Sequence, residues 1–169
     1  MLRLATLLFA VALAGTPALP DAAAAARGFE HLKELAGTWT ATGADGAVSH
    51  LTYEVIAGGS AVTERCEMQH DGHPCTMLTV YHLDGARLLL THYCMAGNQP
   101  RMEARRVSDA GIDFELVDAT GLDTPDEGHM ARAVWSFDGP DRFSTEWTFR
   151  SGDKDVFSEK NNCVRDAAR

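Results

Sequence analysis

"MQHDGHPCTMLTVYHLDGARLLLTHYCM", residues 68–95, decides the fold. It holds two Asp-Gly pairs, at Asp71 and Asp84, each set between runs in which apolar and polar residues alternate. Alternation with a period of two marks a half-buried strand, and Asp-Gly favours the tight turns that join antiparallel strands. The stretch reads as three strands joined by two corners. A two-residue turn also fixes which residues face each other. At Asp71-Gly72 it sets Met68 opposite Cys75, Cys66 opposite Met77 and Glu64 opposite Thr79. At Asp84-Gly85 it sets Tyr81 opposite Leu88, Thr79 opposite Leu90, Met77 opposite His92 and Cys75 opposite Cys94. A three-residue loop over 96–98 then places Met102 opposite His92 and Ala104 opposite Leu90.

All these residues share one sheet face. It carries Cys66, Met68, Met77, Tyr81, Leu88, Leu90 and Met102, whereas the reverse carries Arg65, Glu67, Arg87, Arg101 and Glu103. The more apolar face is expected to point inward, taking Glu64 and His92 with it and leaving His82 and Arg101 outside. A slip of one residue would reverse every assignment.

Beyond this stretch the same alternation continues. "TWTATG", "VSHLTYEVIA", "RMEARRVS", "IDFELVDA", "MARAVWSF", "RFSTEWTF" and "VFSEKNNCV" all read as strands, separated by Gly- and Asp-rich turns. About ten short strands with no helix between them predict an all-β fold, one antiparallel up-and-down barrel. Closure removes the edge strands that invite aggregation. Before the barrel, "GFEHLKELAG" spaces Phe29, Leu32 and Leu35 for a short helix ending at Gly37.

The chain begins "MLRLATLLFAVALAG": one arginine, an apolar run, then Ala12-x-Ala14. That is the layout of a secretory signal, too short to span a bilayer and cleaved after Ala14 or within the run Ala22 to Ala26. We expect residues 1–26 to be signal peptide and spacer, 27–169 to be the barrel domain, and the protein to be periplasmic or secreted. Losing residues 1–26 removes Arg3 and Asp21, so the formal net charge stays at −9. An acidic chain without a Lys/Arg cluster lacks the footprint for nucleic acid or anionic lipid. Neither nucleic acid nor, after cleavage, a membrane is an expected partner.

Four cysteines in an exported chain read first as disulfides. The hairpin register favours Cys75–Cys94, with Cys66 as a competing partner for Cys75; closing that loop would stabilise by roughly 3 kcal/mol. His70, His73 and Cys75 straddle the Asp71-Gly72 corner, which reads as a solvated hairpin tip, so no metal is expected.

"GTW" at residues 37–39, "GGSAVTE" at 58–64, "MLTVYHLDG" at 77–85, "THYCMAGNQPRM" at 91–102 and "HM" at 129–130 together resemble a bacterial family of exported proteins of unknown function. That family is similar to lipocalin-like, or calycin, barrels, and the Gly-x-Trp start is also similar to the nitrobindin-type barrels that carry haem. The resemblance implies a barrel with an internal cavity, and Trp39 plugging its closed end against Arg165 of the last strand. Nitrobindin-type barrels hold haem through a late histidine; no histidine follows His129 here, and no cofactor is expected.

The functional expectation is a small-molecule-binding barrel. Met68, Met77 and Met102 would line it softly, Glu64, Tyr81 and His92 would orient a largely apolar ligand, and Thr79 would stand in the same wall. Two other classes stay open. One is an enzyme with His92 and Glu64 as acid and base; the other is a barrel filled by its own side chains that serves structure or a partner.

Overall fold

The computed structural model describes residues 19–167. Ten strands follow one another around a closed antiparallel barrel. They are β1 (Gly37–Gly43), β2 (Val48–Ile56), β3 (Ala61–His70), β4 (His73–Asp84), β5 (Arg87–Tyr93), β6 (Gln99–Ser108), β7 (Gly111–Thr120), β8 (His129–Phe137), β9 (Arg142–Ser151) and β10 (Lys154–Arg165). Each strand pairs with its neighbours in sequence, and β1 pairs with β10 to seal the wall.

The Asp71-Gly72 corner forms as a two-residue turn with both residues at positive φ, 50° and 77°, and Met68 faces Cys75 across it. The next corner differs from expectation. Its central residues are Gly85 and Ala86, with Gly85 at φ 59°, the position where a type II′ turn wants glycine. Thr79 consequently faces His92, and Tyr81 faces Leu90. The β5–β6 pairing is likewise displaced, setting Met102 opposite Leu90. Both displacements are by two residues, so each side chain keeps its face.

The shifted register removes the basis for a Cys75–Cys94 bridge. β4–β5 pairing ends at Leu78 and Tyr93, so Cys75 has no partner across on β5, and all four cysteines, Cys66, Cys75, Cys94 and Cys163, are free thiols. The expected disulfide is therefore corrected to unpaired cysteines.

One end of the barrel is shut by α1 (Ala22–Glu34). Asp21 caps it, its carboxylate accepting from the Ala24 N–H at 2.8 Å. The helix begins inside the stretch expected to be spacer, and Ala25 is buried in the core beside Phe29, Leu32 and Leu35. Residues 1–18 of the expected signal and spacer lie outside the described residues. A side chain at Gly28 would crowd the methyl groups of Leu88 and Val107, each 3.0 Å from the added carbon, so glycine allows the helix its close approach to the barrel. No helix among the described residues is long and apolar enough to cross a membrane.

Trp39 is fully buried at this end, donating its indole N–H to the Leu35 carbonyl at 2.8 Å. The Arg165 guanidinium lies 4.1 Å from the Trp39 ring centroid. It also donates to the carbonyls of Glu34, Ala36 and Pro140, which ties the helix terminus to the barrel floor. Arg165→Ala is expected to cost about 2 kcal/mol, a cation–π contact plus partly exposed hydrogen bonds. The urea midpoint should fall with the slope unchanged.

Candidate functional site

The barrel interior divides in two. Toward α1 it is solid: Trp39, Tyr53, Tyr81, Leu88, Leu90, Met102, Phe114, Trp135 and Phe143 form one cluster of interlocking rings and aliphatic groups. Tyr81 and Phe114 meet Trp135 edge-on, at ring separations of 5.7 and 5.5 Å. Toward the other end a cavity of about 70 Å³ remains, bounded by Glu64, Cys66, Met68, Met77, His92, Met130, Thr145 and Trp147, with Glu159 at its exposed margin.

Glu64 sits on the boundary between the halves, opposite Thr79 on β4 and Tyr53 on β2. Its Oε2 accepts hydrogen bonds from the hydroxyls of Tyr53 at 2.7 Å and Tyr81 at 2.5 Å. Behind them the Trp135 indole N–H donates to the Tyr53 oxygen at 3.3 Å. Burial pushes the Glu64 carboxyl above its ordinary value, and the two phenol donors pull it partly back. Both tyrosines are held well above their usual range by burial and by the adjacent carboxyl, so they remain donors.

His92 stands on β5 in the same cavity wall. Its Nδ1 lies 3.0 Å from the hydroxyl of Thr79, and its ring tilts over that of Trp147 with centroids 4.7 Å apart. Burial lowers its pKa to about 4, so the imidazole is neutral near pH 7. Its Nε2 is buried and has no hydrogen-bond partner among the described residues. Glu64 and His92 thus share the cavity while each binds its own partners.

Of the residues singled out from sequence, Glu64, Met68, Met77 and His92 bound the cavity. Thr79 and Tyr81 stand one layer behind, orienting His92 and Glu64 respectively. Met102 is fully buried in the solid half. Sequence reasoning missed Tyr53, Trp135, Trp147 and Met130. Tyr53 was within reach, since Leu51 and Tyr53 alternate with polar neighbours on β2. Met130 was not: a bulge between Met130 and Arg132 brings it to the lumen beside the inward series Ala131, Ala133 and Trp135.

The stretch 91–102 is mostly turn chemistry. The Gly97 N–H donates to the Cys94 carbonyl at 3.0 Å, with Gly97 itself at φ 88°. Asn98 is fully buried, its amide donating to the Gly128 carbonyl at 2.9 Å to bind this loop to the β7–β8 loop. Arg101 points outward and clasps Asp118 on β7. A larger depression of about 510 Å³ lies outside the barrel beside the start of α1, but its charged groups are already satisfied, Arg106 by Asp113 and Arg105 by Glu103. Two buried side-chain atoms lack a partner among the described residues, Asn98 Oδ1 under the 94–98 turn and His92 Nε2, and the second of these lines the lumen cavity.

No protein-family model matches the chain, and no curated protein matches it. Solved structures are similar at the level of fold. Rv2717c from M. tuberculosis superposes with a TM-score of 0.56 at 17% identity, over 83% of this chain and 98% of that one. A redesigned β-barrel, b11L5F_LGL, gives 0.42 at 12% identity, over 81% of this chain and 95% of that one. EF1p2_mFAP2b, solved bound to DFHBI, gives 0.43 at 11% identity, over 82% of this chain and 99% of that one. Shared with the first is the antiparallel barrel, and at that identity only the fold.

Proposed function

We propose that the protein binds a small ligand in the barrel lumen, between Glu64 and His92. One observation carries this reading: Nε2 of His92 is buried at the cavity wall without a partner. Leaving a buried polar atom unpaired costs about 1–3 kcal/mol, and folded proteins keep few such atoms. A group that enters the cavity and bonds to Nε2 relieves that cost, and the neutral imidazole takes either a donor or an acceptor according to tautomer. The cavity, at about 70 Å³, restricts the guest to a few non-hydrogen atoms; pockets for drug-sized ligands run to roughly 300–1,000 Å³. Glu64, fixed by two phenols, orients whatever is polar or positive in the guest.

The same reading takes the protein to be exported and to belong with the lipocalin-like exported barrels. Supporting export is the leader layout, with cleavage after Ala14 leaving the Asp21 cap and the whole of α1 intact. Native mass spectrometry of protein purified from its own host is expected to reveal a bound species that is released on denaturation and missing from the His92→Phe variant. A bare polypeptide mass under every growth condition would overturn the reading.

A further inference from the structure

We propose that the lumen is a site for one soft monovalent cation, copper(I), held by the thioether sulfurs of Met68 and Met77 and by Nε2 of His92. The proposal rests on the lumen being a ligand site and names the ligand's class. Met68, Met77 and His92 stand on consecutive strands, β3, β4 and β5, on one face and in one cavity wall. Met77 is directly opposite Cys66, two residues before Met68, and His92 is opposite Thr79, two residues after Met77. Neighbouring strands are about 4.8 Å apart, and a methionine has three rotatable bonds, so the two sulfurs can converge on the imidazole nitrogen.

The chemistry of the donors selects the ion. Among the described residues no three His, Cys, Asp or Glu side chains gather closely enough to hold a metal, so the donor set familiar from zinc sites is absent. Thioether sulfur and neutral imidazole instead suit copper(I), whereas calcium and magnesium require oxygen cages. Orientation is already provided. The tautomer in which Nδ1–H donates to Thr79 turns the Nε2 lone pair to the cavity, the arrangement that fixes metal-binding histidines. Charge also fits, because two thioethers and an imidazole leave the ion at +1, beside the Glu64 carboxyl. The space is of the right order for an ion and the side chains closing on it. Cys66 faces the same cavity but stands outside the proposed ligand set, a point the Cys66→Ser variant decides.

The test uses the mature protein without oxygen, with copper(I) supplied as such and competed against a chromophoric copper(I) chelator. One equivalent is expected to leave the chelator for the protein and to quench tryptophan fluorescence, since Trp147 lies against His92. His92→Phe and Met77→Leu should each weaken binding by about tenfold or more, and Cys66→Ser should leave it unchanged; the melting temperature of each metal-free variant checks folding. Failure to take copper(I) from the chelator overturns the proposal. So does binding lost in Cys66→Ser but kept in His92→Phe and Met77→Leu, which indicates a thiolate site, and so does zinc(II) binding as tightly as copper(I). An organic molecule found in the host-purified protein, with no copper(I) uptake, would sink the copper site and leave the ligand-binding reading standing. A bare mass together with no uptake would end both.

Discussion

Tyr53→Phe combined with Tyr81→Phe is expected to lower stability by about 3 kcal/mol, read from urea denaturation at neutral pH. Both hydroxyls donate to the same oxygen of Glu64, at 2.7 and 2.5 Å, in the fully buried half of the barrel. Phenylalanine keeps the ring volume and the edge-on packing of position 81 on Trp135 and of position 53 on Phe143, so the loss is confined to hydrogen bonding and to a carboxyl left without donors. Because the two bonds end on one atom, the single variants should not add: the second deletion hurts more than the first. The triple variant with Glu64→Leu should recover part of the deficit, since an apolar replacement removes the stranded carboxyl along with its donors, while the Trp135 N–H that donated to Tyr53 stays unpaired. A triple variant no more stable than the double would mean that the ring packing carries the energy, and Glu64 would lose its standing as a fixed anchor.

Much of this site was legible because strands alternate. Asp71-Gly72 gave the β3–β4 register outright, and with it the inward placement of Glu64. Asp84-Gly85 gave the hairpin but the wrong pairs, because a glycine can serve either central position of a turn and here Gly85 serves the first. Moving a turn by one residue shifts every cross-strand pair by two, and the period of a strand is also two. His92 therefore stays on the lumen face although its partner is Thr79 rather than Met77. Statements about faces tolerate that error and statements about contacts do not, which is why the Cys75–Cys94 bridge failed. Bulges are illegible for a different reason. The extra residue, Ala131, has no sequence mark, yet it turns Met130 to the lumen and so decides what closes the far wall of the cavity. The start of α1 was misplaced because an alanine run suits a leader's spacer and a helix equally, and only packing of Ala25 against the barrel separates them.

The second large effect is in pH dependence, and it opposes two buried groups. His92 has a folded pKa of about 4 against about 6.5 in the unfolded chain. Its contribution is fully present above about pH 6.5 and is lost as pH falls through 4, because the unfolded state takes the proton first. A shift of that size corresponds to about 3 kcal/mol. Glu64 runs the other way: its folded pKa is raised, so its contribution is fully present below the unfolded value of roughly 4.3 and is lost as pH rises through the folded one. Above roughly pH 4.3, until Glu64 reaches its own raised folded value, the two slopes oppose each other, and the wild-type profile should be flatter there than either group alone would give. Glu64→Gln, which still accepts from both tyrosines, should expose the histidine slope, with stability rising by about 3 kcal/mol from pH 4 to 6.5. His92→Phe should leave the opposite slope, with stability falling as pH rises above 4.3. Urea midpoints for the three proteins across pH 4–8 measure both. Should Glu64→Gln be level between pH 4 and 6.5, the imidazole must be solvated well enough to charge in place. Its Nε2 would then already have a partner, and the lumen would have no vacancy for a ligand to fill.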